Sequence, residues 1–495
     1  MCVCIEDRRA AIKMLFNSFG YFLFLPIVWL LFWISPKRFS TGILLIASYV
    51  FYMIWKPEYG LLIFGLTIFN YILGLAIHHN NQHKKLALIV AIVGNLLTLG
   101  FFKYAYFVRD TANSVLSVVH QHVPDIPFEI ILPLGISFFV FEFIHYITDV
   151  YKGGQPIHSF PQFALFASFF PTQIAGPIKR YQDFIPQLSL PKQFKSEYLG
   201  KGLELILFGL FKKVVFADNL AVIVQSTFDH PQLLSSCDMW LSVYAFAFQI
   251  YFDFSGYTDI ARGSALLFGY KVPLNFNLPY LASSISDFWH RWHMSLSSWL
   301  RDYLYIPLGG SRGSTIATYR NLLLTMILGG LWHGASMHFM IWGAYQGLLL
   351  VMHKVFLSLV GENSLYKRMS TAALYKPISI FATFHLTCIG WVFFRASNMS
   401  EAIKILKSLF FIPGPNTVSA FSLSLPATSQ PIVFLVLPVV LLVLFSGQII
   451  SFWTSTRPRP ITYPIIIQAV GLAGMLCLLL VLSPDTSPRF IYFQF

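Results

Sequence analysis

Residues 321–352 read NLLLTMILGGLWHGASMHFMIWGAYQGLLLVM, 32 positions without one Lys, Arg, Asp or Glu. About 20 apolar residues in a helix cross the hydrocarbon of a bilayer. The run is therefore expected to form one long tilted helix, or a broken one with a turn near Gly329-Gly330, where paired glycines permit a bend or close packing. Two histidines, His333 and His338, lie inside it. An imidazole at such depth is costly unless it faces a cavity or is hydrogen-bonded, so a polar residue there is a functional candidate by default. Glycines on both sides of His333 leave room for a thin substrate such as an acyl chain.

The chain around this run has the same character. Of 495 residues 56% are hydrophobic and 11% charged, against about 25% charged in soluble domains. The 50 Phe, 24 Tyr and 11 Trp exceed what one aqueous core holds, which excludes a soluble protein and predicts an all-α polytopic membrane protein in contact with lipid. Spanning segments are predicted near 15–34, 41–55, 59–77, 86–107, 128–147, 160–178, 203–217, 239–252, 377–394, 431–447 and 465–483, giving about 11 to 13 membrane segments. The net charge of +13 is read as cytoplasmic loop charge near anionic lipid, not as nucleic-acid binding. The pairs Lys37/Arg38, Lys84/Lys85, Lys179/Arg180 and Lys212/Lys213 sit at the ends of apolar runs, where topology and snorkelling account for them. Residues 1–13 read as an extension ahead of a start at Met14. That leaves 14–495 as a single membrane domain with its core at about 130–350, and alternating spans place Lys37/Arg38 and Lys84/Lys85 on the cytoplasmic side. Cys2, Cys4, Cys237, Cys388 and Cys477 form no disulfide framework by their spacing. No motif is duplicated, which disfavours an inverted-repeat transporter.

Upstream of the charge-free run, residues 253–320 combine dense charge and proline with many aromatics and are predicted to be re-entrant and interfacial helices. In Phe252-Asp253-Phe254-Ser255-Gly256-Tyr257-Thr258-Asp259-Ile260-Ala261-Arg262, the pair Asp259 and Arg262 meets at helical spacing. Asp253 has no clear partner and either anchors the fold or lines a chamber. Prolines at 273 and 279 forbid a regular helix across Asn275 and Asn277. In Asp287-Phe-Trp-His290-Arg-Trp-His293, the two histidines are three apart, but no third ligand at metal spacing follows, so no metal is predicted. His293 is read as a polar wall or a substrate-orienting residue. Earlier in the chain, Glu142, His145 and Asp149 share one helical face, as a hydrogen-bonded helix end or as the wall of an access path.

The chemistry that fits His333 is acyl transfer, in which a neutral imidazole takes the proton of an attacking hydroxyl and returns it to a leaving thiolate. The oxyanion would need donors, for which backbone N–H groups, Asn275 and Trp292 are candidates. No Gly-x-Ser-x-Gly elbow is present. Asp253, Asn275, Trp292, Trp332 and His290 complete the candidate substrate-contacting set.

The phrases LPLGISFF (132–139), FDFSGYTDIARG (252–263), FWHRWHMSLSSWLRDYLYIPLGG (288–310), LWHG (331–334), WVFFRA (391–396) and the terminal FIYFQF, in this order, resemble the membrane-bound O-acyltransferase family, specifically its alginate-type branch. The resemblance implies a ring of membrane helices around a thinned central chamber in the bacterial inner membrane. It implies that His333 is catalytic and that His293 lies at the active site. It further implies acetyl-CoA as a donor substrate rather than a resident cofactor, and transfer toward an exported polysaccharide with export machinery and a periplasmic serine-hydrolase-like acetyltransferase as partners. Relatives often carry Arg where this chain has His290, so no charge is required there. D-alanylation or acylation of another envelope component, and a non-enzymatic transporter, are the alternatives.

Overall fold

The structure, a computed structural model, describes residues 16, 18–360, 363, 364, 368, 370–410, 465–484, 490 and 491. In chain order its helices begin with α1 Phe19–Ile34, α2 Lys37–Met53, α3 Pro57–His79, α4 Lys84–Leu99 and α5 Ala105–Leu116. There follow α6 Ile136–Tyr151, α7 Phe160–Ser168, α8 Tyr181–Ser189, α9 Ser196–Leu210, α10 Asp218–Phe228 and α11 Ser236–Leu267. The last are α12 Ile285–Arg291, α13 Met294–Leu300, α14 Thr315–His333, α15 Met337–Val360, α16 Tyr375–Arg395, α17 Met399–Phe410 and α18 Ile465–Val481. Wide π-turns at Gly100–Tyr104, Phe211–Ala217 and Arg301–Tyr305 join α4 to α5, α9 to α10, and extend α13. Such turns rotate side chains out of the ordinary helical register.

The protein is all-α and rich in apolar helices. Among the described residues four are long and apolar enough to cross a membrane: Pro57–His79, Lys84–Val119, Met337–Val360 and Tyr375–Arg395. This is fewer than the 11 to 13 expected, for physical reasons. The stretch 160–178 is helical only to Ser168 and then runs as turns, while 128–147 becomes regular only from Ile136. Helix α1, at 16 residues, is shorter than a full span. The spanning segment expected at 431–447, and the N-terminal extension with Cys2 and Cys4, lie outside the described residues. The charges at 253 and 259 do not interrupt the helix: α11 runs unbroken for 32 residues, because Asp253 and Asp259 both find basic partners.

The described residues form two compact units, the first from residues up to Ile206 and Thr258–Thr387, the second from Leu207–Tyr257 and the residues from Cys388 onward. In the first, the charge-free run is broken, with α14 ending at His333 and α15 beginning at Met337. The break falls at residues 334–336 and not at Gly329-Gly330, because those glycines serve packing. A methyl group on Gly330 would lie 2.2 Å from the Phe339 carbonyl oxygen and one on Gly343 would lie 2.2 Å from that of Met326. The two helices therefore touch backbone to backbone.

Basic residues read as snorkelling do more than that. Lys37 donates to the carbonyls of Leu188 and Leu190 at 2.7 and 2.6 Å, while Lys192 donates to those of Phe32, Trp33 and Ser35. Each lysine closes the C-terminal end of the helix that precedes the other. Lys179 and Lys213 are 2% and 3% exposed, so neither reaches water, and both sit in ion pairs.

In the second unit, Lys213 Nζ lies 2.8 Å from both Asp218 and Asp253. The other Asp253 oxygen accepts the Ile491 N–H at 2.8 Å. Asn219 donates to the Val215 and Leu482 carbonyls, and Tyr257 stacks on Phe490 at 4.3 Å.

Candidate active site

His293 lies with Trp292 between the short helices α12 and α13, at φ +43° and ψ 54°. Left-handed backbone in a non-glycine residue costs about 1–3 kcal/mol and persists only where its surroundings enforce it. Here the extended segment through Asn275 does so. The Met294 N–H donates to the Asn275 carbonyl at 2.9 Å and the Ser295 N–H to Asn275 Oδ1 at 3.2 Å. The Asn277 N–H meets the Arg291 carbonyl at 2.9 Å. The peptide groups on both sides of His293 are thus pinned, and its imidazole is fully buried.

His333 is the last residue of α14 and is also buried. Its ring centroid is 4.8 Å from that of Trp332 and 5.1 Å from that of Trp342, nearly perpendicular to the latter. The Trp332 ring is 6.4 Å from His293. One indole therefore neighbours both imidazoles, which come from elements about 40 residues apart.

That indole belongs to a rigid aromatic column. Phe141 of α6 stacks on Trp299 at 3.7 Å and on Trp332 at 5.1 Å, and Trp299 Nε1 donates to the Phe141 carbonyl at 3.0 Å. At this same C-terminal end of α14, the Lys103 ammonium donates to the Trp332 and His333 carbonyls and the Tyr104 hydroxyl to that of Leu331 at 2.8 Å.

The other candidates separate. Asn275 is buried against the His293 turn, and its Nδ2, like the indole Nε1 of Trp332, has no hydrogen-bond acceptor among the described residues. Both are buried donors of the kind that a developing oxyanion requires. Trp292 packs among Phe276, Tyr280 and Phe288. His290 is exposed, with Nδ1 2.6 Å from the Ser286 carbonyl of its own helix, and makes no part of the buried cluster. Asp253 belongs to the second unit, where Lys213 supplies the partner that the sequence did not reveal. Asp259 and Arg262 meet at 3.4 Å as their spacing predicts. No group of three His, Cys, Asp or Glu side chains among the described residues converges as a metal site.

The face bearing Glu142, His145 and Asp149 proves to be two things. Glu142 is buried with Lys179, whose ammonium it meets at 2.7 and 3.0 Å, and His145 accepts the Tyr181 N–H. Asp149 accepts from Tyr303 and Gln182 at 2.7 and 2.6 Å and lines a cleft of about 970 Å³ with Lys152, His158, Arg180, Asp302 and Tyr303. Asp302 sits below the usual carboxylate range. Its partial burial pulls the other way but is outweighed by hydrogen bonds and charge from Arg301 and Arg180.

Sequence reading missed Lys103, although a signal existed: it is the lone charged residue between Lys85 and Arg109. It also missed the pairing of Lys179 with Glu142 and of Lys213 with Asp253, 37 and 40 positions away, and of Lys213 with Asp218, five positions on.

Comparison with known proteins bears on what such a site does. Residues 137–394, spanning both histidines, match the membrane-bound O-acyltransferase family. A protein of Pseudomonas putida described as "Probable alginate O-acetylase" is 38% identical over 97% of this chain and 100% of its own length. Its counterpart in Pseudomonas aeruginosa is 43% identical over 80% of this chain and 75% of its own. A "Peptidoglycan O-acetyltransferase" of Helicobacter pylori is 38% identical over 84% and 82%. With its apolar spanning helices and this family match, the chain belongs to the membrane-bound O-acyltransferase family and is a multi-pass O-acyltransferase of the inner membrane.

Proposed function

We propose that the protein moves acetyl groups from cytoplasmic acetyl-CoA across the membrane toward hydroxyls of an exported, alginate-like polysaccharide, directly or through a periplasmic serine-hydrolase-like partner. The observation that carries this reading is the pair of buried imidazoles, His293 and His333, on either side of one indole. In the proposed step His333 takes the proton of the acceptor hydroxyl as its oxygen bonds to the thioester carbonyl carbon. The carbon–sulfur bond then breaks and the proton passes to the departing thiolate. His293 orients the acceptor or the thioester. Asn275 Nδ2 and Trp332 Nε1 are the candidate donors to the oxyanion, and Trp292 walls the chamber. A ring of spanning and re-entrant helices around this chamber would let donor and acceptor approach from opposite faces, with no resident cofactor.

The 38% identity to the Helicobacter pylori protein favours a second acceptor, peptidoglycan, over D-alanyl transfer. One experiment tests donor and acceptor together. Purified protein in nanodiscs receives radiolabelled acetyl-CoA with either the host's exported polysaccharide or its peptidoglycan, and wild type is compared with a folded His333→Ala variant. Label reaching the polysaccharide with wild type only is the expected result. Label reaching peptidoglycan alone would replace the acceptor, and equal transfer by both forms would remove His333 from the chemistry.

A further inference from the structure

Lys103 sits in a span where every other residue from 86 to 108 is uncharged, and an ammonium there is heavily penalised unless it faces protein or water. The π-turn Gly100–Tyr104 brings it and its neighbour Tyr104 to one target, the end of α14. A helix leaves its last four carbonyls without intrahelical donors. Here each has one. The Gly330 carbonyl takes the Gly334 N–H at 3.4 Å, the Leu331 carbonyl takes the Tyr104 hydroxyl, and the Trp332 and His333 carbonyls share the Lys103 ammonium. A glycine cap or water would satisfy such carbonyls with no charge at all. The Lys103 nitrogen instead serves two carbonyls from one atom, complements the negative end of the helix dipole when charged, and lies 3.2 Å from the carbonyl oxygen of the histidine itself. Both residues lie outside the region matched by the family.

We propose that Lys103, assisted by Tyr104, is a positioning residue for His333. It locks the last turn of α14 and thereby fixes the direction in which the imidazole presents its nitrogen. Lys103 makes and breaks no bond. The inference rests on the reading of His333 as the proton-transferring group, so the test carries a variant of each.

The full chain in nanodiscs, supplied with radiolabelled acetyl-CoA and the host's exported polysaccharide, is compared as wild type, Lys103→Met, Lys103→Arg, Tyr104→Phe and His333→Ala, with melting followed by tryptophan fluorescence. Lys103→Met is expected to lower kcat about 100-fold, the loss that roughly an ångström of misplacement produces, with KM for acetyl-CoA within about twofold of wild type. Lys103→Arg, which keeps charge and donors, is expected to recover to within about tenfold of wild type. Tyr104→Phe should fall between them. Wild-type kcat in Lys103→Met beside an inactive His333→Ala overturns the positioning role alone. Equal loss in Lys103→Met and Lys103→Arg with lowered melting also overturns it, in favour of a plain structural brace. Full activity in His333→Ala overturns the reading of the base, and the positioning role with it.

Discussion

In the second unit Lys213 lies 2.8 Å from both buried carboxylates, Asp218 and Asp253, whereas in the first unit the buried imidazoles His293 and His333 are flanked by the indoles of Trp332 and Trp342. Both arrangements place polar groups deep in an apolar protein. The first is held by charge neutralisation, which gains nothing from a visiting molecule. The second surrounds two imidazoles with flat aromatic walls and with donors on Asn275 and Trp332 that meet no acceptor among the described residues. Burial of a polar residue is therefore a poor guide to function in this chain, and the kind of neighbour is a better one.

The comparison breaks first at His333. His333→Ala should reduce acetyl transfer by about 10²- to 10⁴-fold, the contribution of a positioned general base, with melting unchanged; a melting loss as large as the activity loss would move His333 to the structural side. Next comes Lys213→Met, which leaves two buried carboxylates facing each other. It should destabilise the fold by about 3–5 kcal/mol, seen as a lowered melting temperature, while the milder Asp253→Asn keeps the Lys213–Asp218 pair. If Asp253→Asn instead melts normally and abolishes transfer, Asp253 returns to the reaction chamber.

Asn275→Ala sharpens the contrast, because it removes the acceptor of the Ser295 N–H beneath a strained turn. A loss of about 1–3 kcal/mol is expected, together with a fall in kcat measured on the folded fraction. His290→Ala should be the smallest effect, within about 0.5 kcal/mol of wild type as for ordinary surface substitutions, with transfer rates unchanged. A marked rise in KM for the acceptor in that variant would place His290 back among the substrate contacts.

The sequence made the helical membrane character and the two histidines legible, because uncharged runs and local motifs are written in consecutive residues. Partnerships across the chain were not. Helical spacing paired Asp259 with Arg262, three positions away, but offered no means of pairing Asp253 with Lys213 or Glu142 with Lys179. Density of charge at 253–259 therefore predicts the end of a helix that the pairs of Asp253 with Lys213 and Asp259 with Arg262 instead sustain. The π-turns that carry Lys103 and Lys213 leave no period in the apolar pattern. Nor does local sequence reveal the role of Asn275, whose backbone and side-chain oxygens accept from the Met294 and Ser295 N–H groups beside His293, 19 and 20 positions on. Gly329-Gly330 suggested a bend or close contact, and the carbonyl of Phe339 decides for contact.

The exchange between Lys37 and Lys192 has a consequence in time. Synthesis proceeds from the N-terminus, so the carbonyls at the end of α1 emerge well before Lys192, which lies 160 positions beyond Phe32. During that interval the end of the first helix has to rely on water or lipid headgroups at the membrane surface. Lys37 waits equally for the end of α8, about 150 positions on. The α1–α2 hairpin thus carries an unfinished fastening until α8 and Lys192 have followed it out of the ribosome.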